Sequence, residues 1–305
     1  MKVSRNSPSR AITICAAILV TWEASAAPNP ALGPTPHQLR NISARSRVLT
    51  GDRVLIGGFI IQGNAPKTVI VRAVGPSLTI GGTPLSGRLA DPTLELYAGG
   101  NRAPIAANND WRESQQSEIG VTGLQPTSDF ESAIVRTLAP GSYTAVMRGR
   151  NNGTGIGVVE IYDLSGGPNS QLQNMSARAF VQPDNDVLIG GIIVGGSADE
   201  DATIRVVLRA IGPSLGSLGV PDALADPTLE LFDANGIRLG FNDDAGDEQA
   251  LELQETGLIP LHAAESAIVT SLGAGNYTAV VRGKGQTTGV ALVEVFDVPE
   301  RTPPG

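Results

Sequence analysis

One segment of the chain occurs twice. Residues 132–163 read SAIVRTLAPGSYTAVMRGRNNGTGIGVVEIYD, and residues 266–297 read SAIVTSLGAGNYTAVVRGKGQTTGVALVEVFD. Both ends of the two copies are separated by the same interval of 134 residues, so the copies align without a gap. The chain therefore contains one structural unit twice, and its fold has to accommodate two similar halves.

Four further motifs recur outside this segment. They are N-[IM]-S-A-R at 41–45 and 174–178, VLIGG at 54–58 and 187–191, R-A-[VI]-G-P-S-L at 72–78 and 209–215, and ADPTLEL at 90–96 and 225–231. The period is far longer than the roughly 20–50 residues of a solenoid repeat. The sequence therefore predicts two tandem modules, at 38–166 and 171–298, joined by a linker at 167–170.

The modules read as all-β. Each has about seven or eight short strand-like segments separated by Gly, Pro and Asn turns, which favours two tandem antiparallel β-sandwiches of Greek-key or jelly-roll type. The segments at 143–148 and 155–162 are expected to form a hairpin. Tyr143 and Tyr277 follow turns and are expected to act as tyrosine corners, in which the phenol donates a hydrogen bond to nearby backbone. One helix is expected in each module, after Asp110 in the first, where Glu113 completes capping-box spacing, and from Asp244 in the second.

The first 26 residues have the features of a secretory signal peptide. A basic start is followed by an apolar run at 11–20 and by Ala-Ser-Ala at 24–26, and the run is too short for a membrane span. The chain's one cysteine, Cys15, lies within this segment, so the mature protein is expected to be cysteine-free and secreted or periplasmic. A Pro-rich spacer at 27–37 follows, and residues 299–305 form a tail.

Charge excludes some classes of partner. The signal peptide takes away three basic residues and one acidic residue, which changes the formal net charge from −8 to −10. A protein this acidic is poorly suited to bind nucleic-acid phosphates or anionic membrane surfaces. Its partners, if it has any, are expected to be cell-surface or extracellular proteins or glycans.

The second half of each module carries a family resemblance. A Leu-x-Leu-Tyr strand at 94–97, a turn at 99–102, an Asn/Asp cluster at 108–110 and the strand PGSYTAV at 140–146 resemble the bacterial pre-peptidase C-terminal domain. The resemblance covers slightly more than half of each module and implies a secreted accessory module. No peptidase-like segment precedes the modules in this chain.

Paired carboxylates are the first candidates for chemistry, since glycosidases use two of them. The recurring acidic residues are Glu95 and Glu230, Glu131 and Glu265, and Glu160 and Glu294. However, strands that are apolar on both sides contain Glu160 and Arg72, and a charge there requires an oppositely charged neighbour. We therefore expect structural ion pairs, Arg72 with Glu160 and Arg209 with Glu294.

The two histidines and one Asp-rich loop are further candidates for chemistry. His37 lies in the spacer, and His262 has Ser128 at the equivalent position, which favours a loop histidine over a catalytic one. Calcium requires clustered oxygen ligands, and the segment NDDAGDE at 242–248 offers Asp243, Asp244 and Asp247, although without EF-hand spacing. Calcium is thus a possible cofactor, and no other is expected.

Glycan binding usually requires exposed aromatic platforms. The chain is 4% aromatic, and Trp111, the single tryptophan after residue 26, has Ala245 at its equivalent position. Trp111 is therefore expected to pack on the edge of the sandwich. The sequence favours a non-enzymatic structural or adhesive pair of modules; a calcium- or glycan-binding accessory protein is the alternative, and a glycoside hydrolase is third.

Overall fold

The structure is a computed structural model that describes residues 38–165, 169–196, 202–246 and 249–298. Most of these residues lie in β-strands, which confirms the all-β sandwich class. The expected signal peptide, spacer and tail lie outside the described residues, as do His37 and Asp247. No described helix is both long enough and apolar enough to span a membrane.

The described residues contain ten strands in repeat 1 and eight in repeat 2, and the difference is one short pair of strands in repeat 1. Repeat 1 contains β1 (Gln38–Val48), β2 (Leu55–Gly63), β3 (Lys67–Val74), β4 (Thr79–Ile80), β5 (Thr83–Pro84), β6 (Pro92–Ala98), β7 (Ala106–Asn108), helix α1 (Gln116–Val121), β8 (Ser132–Leu138), β9 (Gly141–Gly149) and β10 (Gly155–Asp163). Repeat 2 contains β11 (Ser170–Val181), β12 (Leu188–Gly195), β13 (Ile204–Ile211), helix α2 (Pro213–Ser217), β14 (Pro227–Phe232), β15 (Arg238–Asn242), helix α3 (Ala250–Thr256), β16 (Ser266–Leu272), β17 (Gly275–Gly283) and β18 (Gly289–Val298).

Two antiparallel sheets of eight strands each pass through both repeats. Sheet A has the order β15-β14-β17-β12-β1-β10-β3-β8, and sheet B has the order β16-β13-β18-β11-β2-β9-β6-β7. Each repeat contributes four strands to each sheet. Because the equivalent strands β1 and β11 lie in different sheets, a rotation that exchanges the repeats also exchanges the sheets. The sequence left the arrangement of the two modules open, and the structure shows them joined edge to edge.

The edges meet through two of the recurring motifs. In sheet A, Ser43 of β1 lies opposite Gly191 of β12, and in sheet B, Ser176 of β11 lies opposite Gly58 of β2. A β-carbon on Gly191 would lie 2.3 Å from the Ser43 Oγ atom, and one on Gly58 would lie 2.5 Å from the Ser176 Oγ atom. A glycine opposite each serine leaves room for the serine Oγ atom, so the strand containing N-x-S-A-R in each repeat fits the VLIGG strand of the other.

The repeats are joined at two places, by the pairing of β1 with β12 in sheet A and of β2 with β11 in sheet B. Different side chains flank these two joints. At the joint in sheet A, the Arg47 Nε atom donates a hydrogen bond to the Asp186 Oδ2 atom at 2.7 Å. At the joint in sheet B, the Arg53 guanidinium lies over the Phe180 ring, 4.4 Å from its centroid. An ion pair and a cation–π contact therefore occupy equivalent places, and both connect repeat 1 to repeat 2.

A single hydrophobic core fills the space between the sheets. Alternate residues of each strand point inward, and buried side chains of both repeats form one continuous cluster. Leu39, Ile42 and Phe59 from repeat 1 belong to the same cluster as Met175 and Ile192 from repeat 2. The core therefore crosses the boundary between the repeats.

The tyrosine-corner expectation is confirmed, and the hairpin expectation is wrong. The Tyr143 hydroxyl donates to the Ala139 carbonyl oxygen at 2.8 Å, and the Tyr277 hydroxyl donates to the Gly273 carbonyl oxygen at 3.0 Å. However, β9 lies in sheet B and β10 in sheet A, so the connection at 150–154 crosses the sandwich. A Gly-rich turn is compatible with a hairpin within one sheet and also with a connection between two sheets. The packing of the strands decides which of these two connections forms.

The expected helix begins later than its capping pattern indicated. The Glu113 N–H bonds to the Asp110 carbonyl in an isolated turn, and α1 starts at Gln116. The Asp110 side chain accepts a bond from the Asn109 amide instead of capping a helix. Helix α1 covers the outer face of sheet A over repeat 1, and α3 covers the outer face of sheet B over repeat 2.

Candidate functional site

Each repeat has an Arg–Glu pair on the covered outer face of a sheet, and this pair is buried in repeat 1 and partly buried in repeat 2. In repeat 1, Arg72 of β3 lies opposite Glu160 of β10, and its Nε atom is 2.9 Å from the Glu160 Oε2 atom. A second nitrogen, Nη2, also bonds to this oxygen. The remaining nitrogen, Nη1, donates to the Leu124 carbonyl oxygen at 2.7 Å, which connects the pair to the segment that follows α1.

Repeat 2 reproduces this arrangement. The Arg209 Nε atom is 3.0 Å from the Glu294 Oε2 atom, and the Arg209 Nη1 atom donates to the Leu258 carbonyl oxygen at 3.1 Å. The Arg209 guanidinium also lies over the Phe296 ring, 4.8 Å from its centroid. The structure thus brings together the residues that the sequence analysis paired, and in both repeats the arginine fastens the covering helical segment to the sheet.

The electrostatics of the pair in repeat 1 follow from its burial. Burial by itself lowers the pKa of Arg72, but the charge and hydrogen bond of Glu160 outweigh it and raise the pKa above its ordinary value. Burial and the nearby Glu160 carboxylate raise the pKa of Tyr162, whose hydroxyl donates to the Glu160 Oε1 atom at 3.1 Å. Both Glu160 oxygens are therefore engaged in bonds within the fold.

Glu131 and Glu265 hold a loop in each repeat, a role that sequence reasoning did not assign. The buried Glu131 carboxylate accepts bonds from the Gly75 N–H at 3.0 Å, the Ser77 N–H at 2.9 Å and the Ser77 hydroxyl at 2.6 Å. Glu265 binds the equivalent donors of Gly212 and Ser214. The sequence contained one signal for this contact, because G-P-S-L and E-S-A-I-V recur together in both repeats.

His262 contacts Glu265, the carboxylate that holds this loop in repeat 2. Its backbone N–H donates to the Glu265 Oε2 atom at 3.3 Å, and its Nδ1 atom accepts a bond from the Ala264 N–H at 3.2 Å. In repeat 1, Ser128 makes the equivalent pair of contacts, with Glu131 and Phe130. The exposed imidazole thus replaces a serine hydroxyl in a turn, as the loop-histidine interpretation expects.

Asp243, one of the expected calcium ligands, forms an ion pair with Lys284. The Lys284 Nζ atom lies 2.6 Å from the Asp243 Oδ2 atom and 3.6 Å from the Asp226 Oδ2 atom. Its hydrogen bond with Asp243 raises the pKa of Lys284, and Asp226, Asp243 and Asp244 add electrostatic attraction. An ammonium group thus lies between these carboxylates. Within the described residues, no three Asp, Glu, His or Cys side chains are grouped as a metal ion would require.

Trp111 packs inward. Its side chain is 4% exposed and contacts Ile70, Ile119 and Ala133 between α1 and sheet A. Arg112 covers the ring from outside, with its guanidinium carbon 4.2 Å from the ring centroid. A groove of about 460 Å³ runs beside it, lined by Trp111, Arg112, Gln116, Gly120, Gln125, Pro126 and Thr127. Trp111 therefore contributes an edge to this groove and offers no stacking platform for a sugar.

Of the recurring carboxylates, Glu95 and Glu230 alone lie on open sheet surface. Glu95 is 3.7 Å from the Arg148 Nε atom and accepts a bond from the Tyr97 hydroxyl, beside a second groove of about 460 Å³. Glu230 is 3.6 Å from the Arg282 Nε atom. Each carboxylate therefore faces an arginine, and the two lie in different repeats and different sheets.

Lys67 and Asp163 form an ion pair that the sequence analysis did not anticipate. The Lys67 Nζ atom lies 2.6 Å from the Asp163 Oδ2 atom, and both side chains are 1% exposed. The signal was the lysine at the start of an otherwise apolar strand, KTVIVRAV.

Comparison with models of known protein families gives no match, and comparison with curated proteins gives no significant similarity. Interpretation of these sites therefore rests on the geometry of this chain. That geometry assigns most of the recurring polar side chains to contacts within the fold, and it leaves the open sheet faces and the two grooves as the surfaces available to a partner.

Proposed function

We propose that the chain is a secreted, non-enzymatic structural or adhesive unit. One observation carries the proposal: the polar side chains that recur in both repeats bind within the fold. Arg72 and Glu160, Glu131, Tyr143 and their counterparts in repeat 2 each hold a loop, a helix or a strand. The resemblance to pre-peptidase C-terminal domains agrees with such a role, because it implies a secreted accessory module.

The uncovered half of each sheet supplies the contact surface in this proposal. On repeat 1 it consists of the outer face of β2, β9, β6 and β7, and on repeat 2 it consists of the outer face of β12, β17, β14 and β15. Repeat 2 exposes Phe241 together with Arg238, whose guanidinium carbon is 5.6 Å from the Phe241 ring centroid. Ala107 stands at the position equivalent to Phe241 in repeat 1, so the two faces differ in their capacity for apolar contact.

Adhesion and hydrolysis should be measured on the same protein. Beads coated with the mature chain are passed over surfaces coated with polysaccharide or with extracellular protein, and a panel of glycosides is assayed in parallel. We expect retention on at least one surface and no turnover. Phe241→Ser should weaken retention, and Ala107→Ser is the matched control.

A specific enzymatic result would overturn the proposal. Glu95 and Glu230 are the recurring carboxylates on open surface, so they are the candidates for an acid or base. Glycoside turnover by the unmodified chain that disappears in the Glu95→Gln or Glu230→Gln variant would show that the protein is a hydrolase. Absence of retention on every surface would remove the adhesive half of the proposal.

The calcium-binding alternative makes a separate prediction about stability. A ligand at 100 times its dissociation constant stabilises a protein by about 2.7 kcal/mol, which raises the unfolding midpoint by several degrees. Because Lys284 occupies the space between Asp226 and Asp243, we expect the midpoint to be the same in chelator and in millimolar calcium. An upward shift that is lost in the Asp243→Asn variant would support the accessory role instead.

A further inference from the structure

The buried ion pair of repeat 1 places an amine against a carboxylate without solvent. Lys67 begins β3 and Asp163 ends β10, on neighbouring strands of sheet A. Lysine is among the residues least often fully buried, and a dry environment strongly disfavours separate charges. A covalent bond that removes both charges therefore suits this environment better than the ion pair does.

The fold does not require a lysine at this position. Ile204 is the equivalent residue of repeat 2, where it begins β13 as Lys67 begins β3. Lys67 lies opposite Leu138, and Ile204 lies opposite Leu272, so the strand register is the same. Repeat 2 thus builds the same strand with an apolar side chain, and the amine is an addition specific to repeat 1.

The second carboxylate oxygen of Asp163 has its own donors. The Ser165 N–H bonds to the Asp163 Oδ1 atom at 3.0 Å, and the Ser165 hydroxyl bonds to it at 3.2 Å. Two donors on Oδ1 would stabilise negative charge that develops there during attack on the carboxyl carbon, as an oxyanion hole does. The amine contacts Oδ2, so the two oxygens have different surroundings.

We propose that Lys67 and Asp163 condense to form an intramolecular isopeptide bond. The Lys67 nitrogen attacks the Asp163 carboxyl carbon, a carbon–nitrogen bond forms and the bond from that carbon to Oδ2 breaks. The ammonium gives up two protons, and Oδ2 takes both and leaves as water. Atoms and charge balance without an oxidant or another reactant. Close and fixed placement of the two groups supplies the proximity that condensation requires.

The bond would link two strands that are 96 residues apart in sequence. Asp163 is the last residue of β10, and the connection to repeat 2 follows it directly. The crosslink would therefore close the end of repeat 1 at the point where the chain leaves it, in a protein whose described residues contain no cysteine. The inference does not depend on the adhesive role.

The test is the mass of the folded chain. We expect the intact mass to be lower than the sequence mass by one water molecule, relative to the Lys67→Arg variant after correction for the substitution. Tryptic digestion should yield a branched peptide that joins the segment around Lys67 to the segment around Asp163. The Asp163→Ala variant should have its full sequence mass.

Lys284 and Asp243 provide an internal control. Their nitrogen and oxygen are also 2.6 Å apart, but the side chains are 48% and 27% exposed. This pair should yield only linear peptides, because water stabilises its charges. A wild-type chain at its full sequence mass would overturn the proposal, as would loss of water that maps to any other residue. A branched peptide at Lys284 would refute burial as the cause of condensation.

Discussion

The outer faces of the sheets contain buried charges because each repeat lays a helical segment over one of them. Arg72 satisfies Glu160 and the Leu124 carbonyl at once, so one side chain connects two strands and the covering segment. The pair of Arg148 with Glu95 also has a backbone contact, from the Arg148 Nη1 atom to the Gly51 carbonyl oxygen at 3.2 Å, but its side chains are 45% and 34% exposed. The two kinds of pair should therefore differ in their contribution to stability.

Replacing Arg72 with methionine should lower the free energy of unfolding by about 3–5 kcal/mol, because the change leaves Glu160 buried without a counter-charge. Arg148→Met is the matched control, and it should cost about 1 kcal/mol or less, since both partners are solvated. Denaturant unfolding measures both values. Equal effects of the two substitutions would contradict the structural role of the buried pair.

Trp111 allows a direct comparison between the repeats. Trp111→Ala should cost about 3–5 kcal/mol, because it opens a cavity between α1 and sheet A. Repeat 2 has Ala245 at this position and places Ile259 where repeat 1 has Gln125. The double variant Trp111→Ala with Gln125→Ile should therefore recover part of the loss in thermal unfolding. An unchanged unfolding midpoint in Trp111→Ala would show that the indole does not fill the space between α1 and sheet A.

For single side chains, sequence reasoning succeeded where the residues of one strand are enough to require a charged partner. A charge in a strand that is apolar on both sides requires a partner, so the partners of Arg72 and Arg209 could be predicted. The contacts of Glu131 could not be predicted in this way, because the Gly75 and Ser77 N–H groups that bond to it belong to a loop 54 or more residues away. The pair of Lys67 and Asp163 likewise depends on strand order, which the residues alone do not specify.

Strand pairing explains the most regular motifs of the sequence. N-x-S-A-R and VLIGG recur because each strand of one type pairs with a strand of the other type across the repeat boundary. The glycines allow the serines to fit, and the edges that meet at the repeat boundary are covered without an added element. The motifs themselves do not reveal which strands they pair with, so sequence analysis found the motifs without finding their use.

Gly191→Ala should destabilise the protein by about 1–3 kcal/mol, because the new β-carbon would overlap the Ser43 Oγ atom. The second change Ser43→Gly should restore most of the loss, which a double-mutant cycle in denaturant would measure. Gly120→Ala in α1 is the control, since no atom lies within 4 Å of the added carbon. That variant should be neutral or stabilised by up to about 1 kcal/mol. If Ser43→Gly did not restore stability, the loss in Gly191→Ala would come from a contact other than the one with Ser43.

At the scale of the whole molecule, the duplication produces one sandwich of double width. The many short strand-like segments separated by turn residues were enough to predict two layers of antiparallel strands. Whether two such units stay separate or merge depends on their edges, and an edge strand looks like any other strand in sequence. The continuous core between sheets A and B follows from the joints, so the repeats should depend on each other for stability.

The two repeats should therefore unfold together. Trp111 is the one tryptophan of the described residues, so its fluorescence reports on repeat 1, whereas circular dichroism reports on all strands. Leu229→Ala in β14 of repeat 2 should lower the stability by about 2–5 kcal/mol and shift the fluorescence and dichroism midpoints equally. Leu94→Ala, the equivalent change in repeat 1, should do the same. If the fluorescence midpoint stayed constant in Leu229→Ala while dichroism showed a second transition, the repeats would be independent domains, and the edge-to-edge joints would contribute little to the folded state.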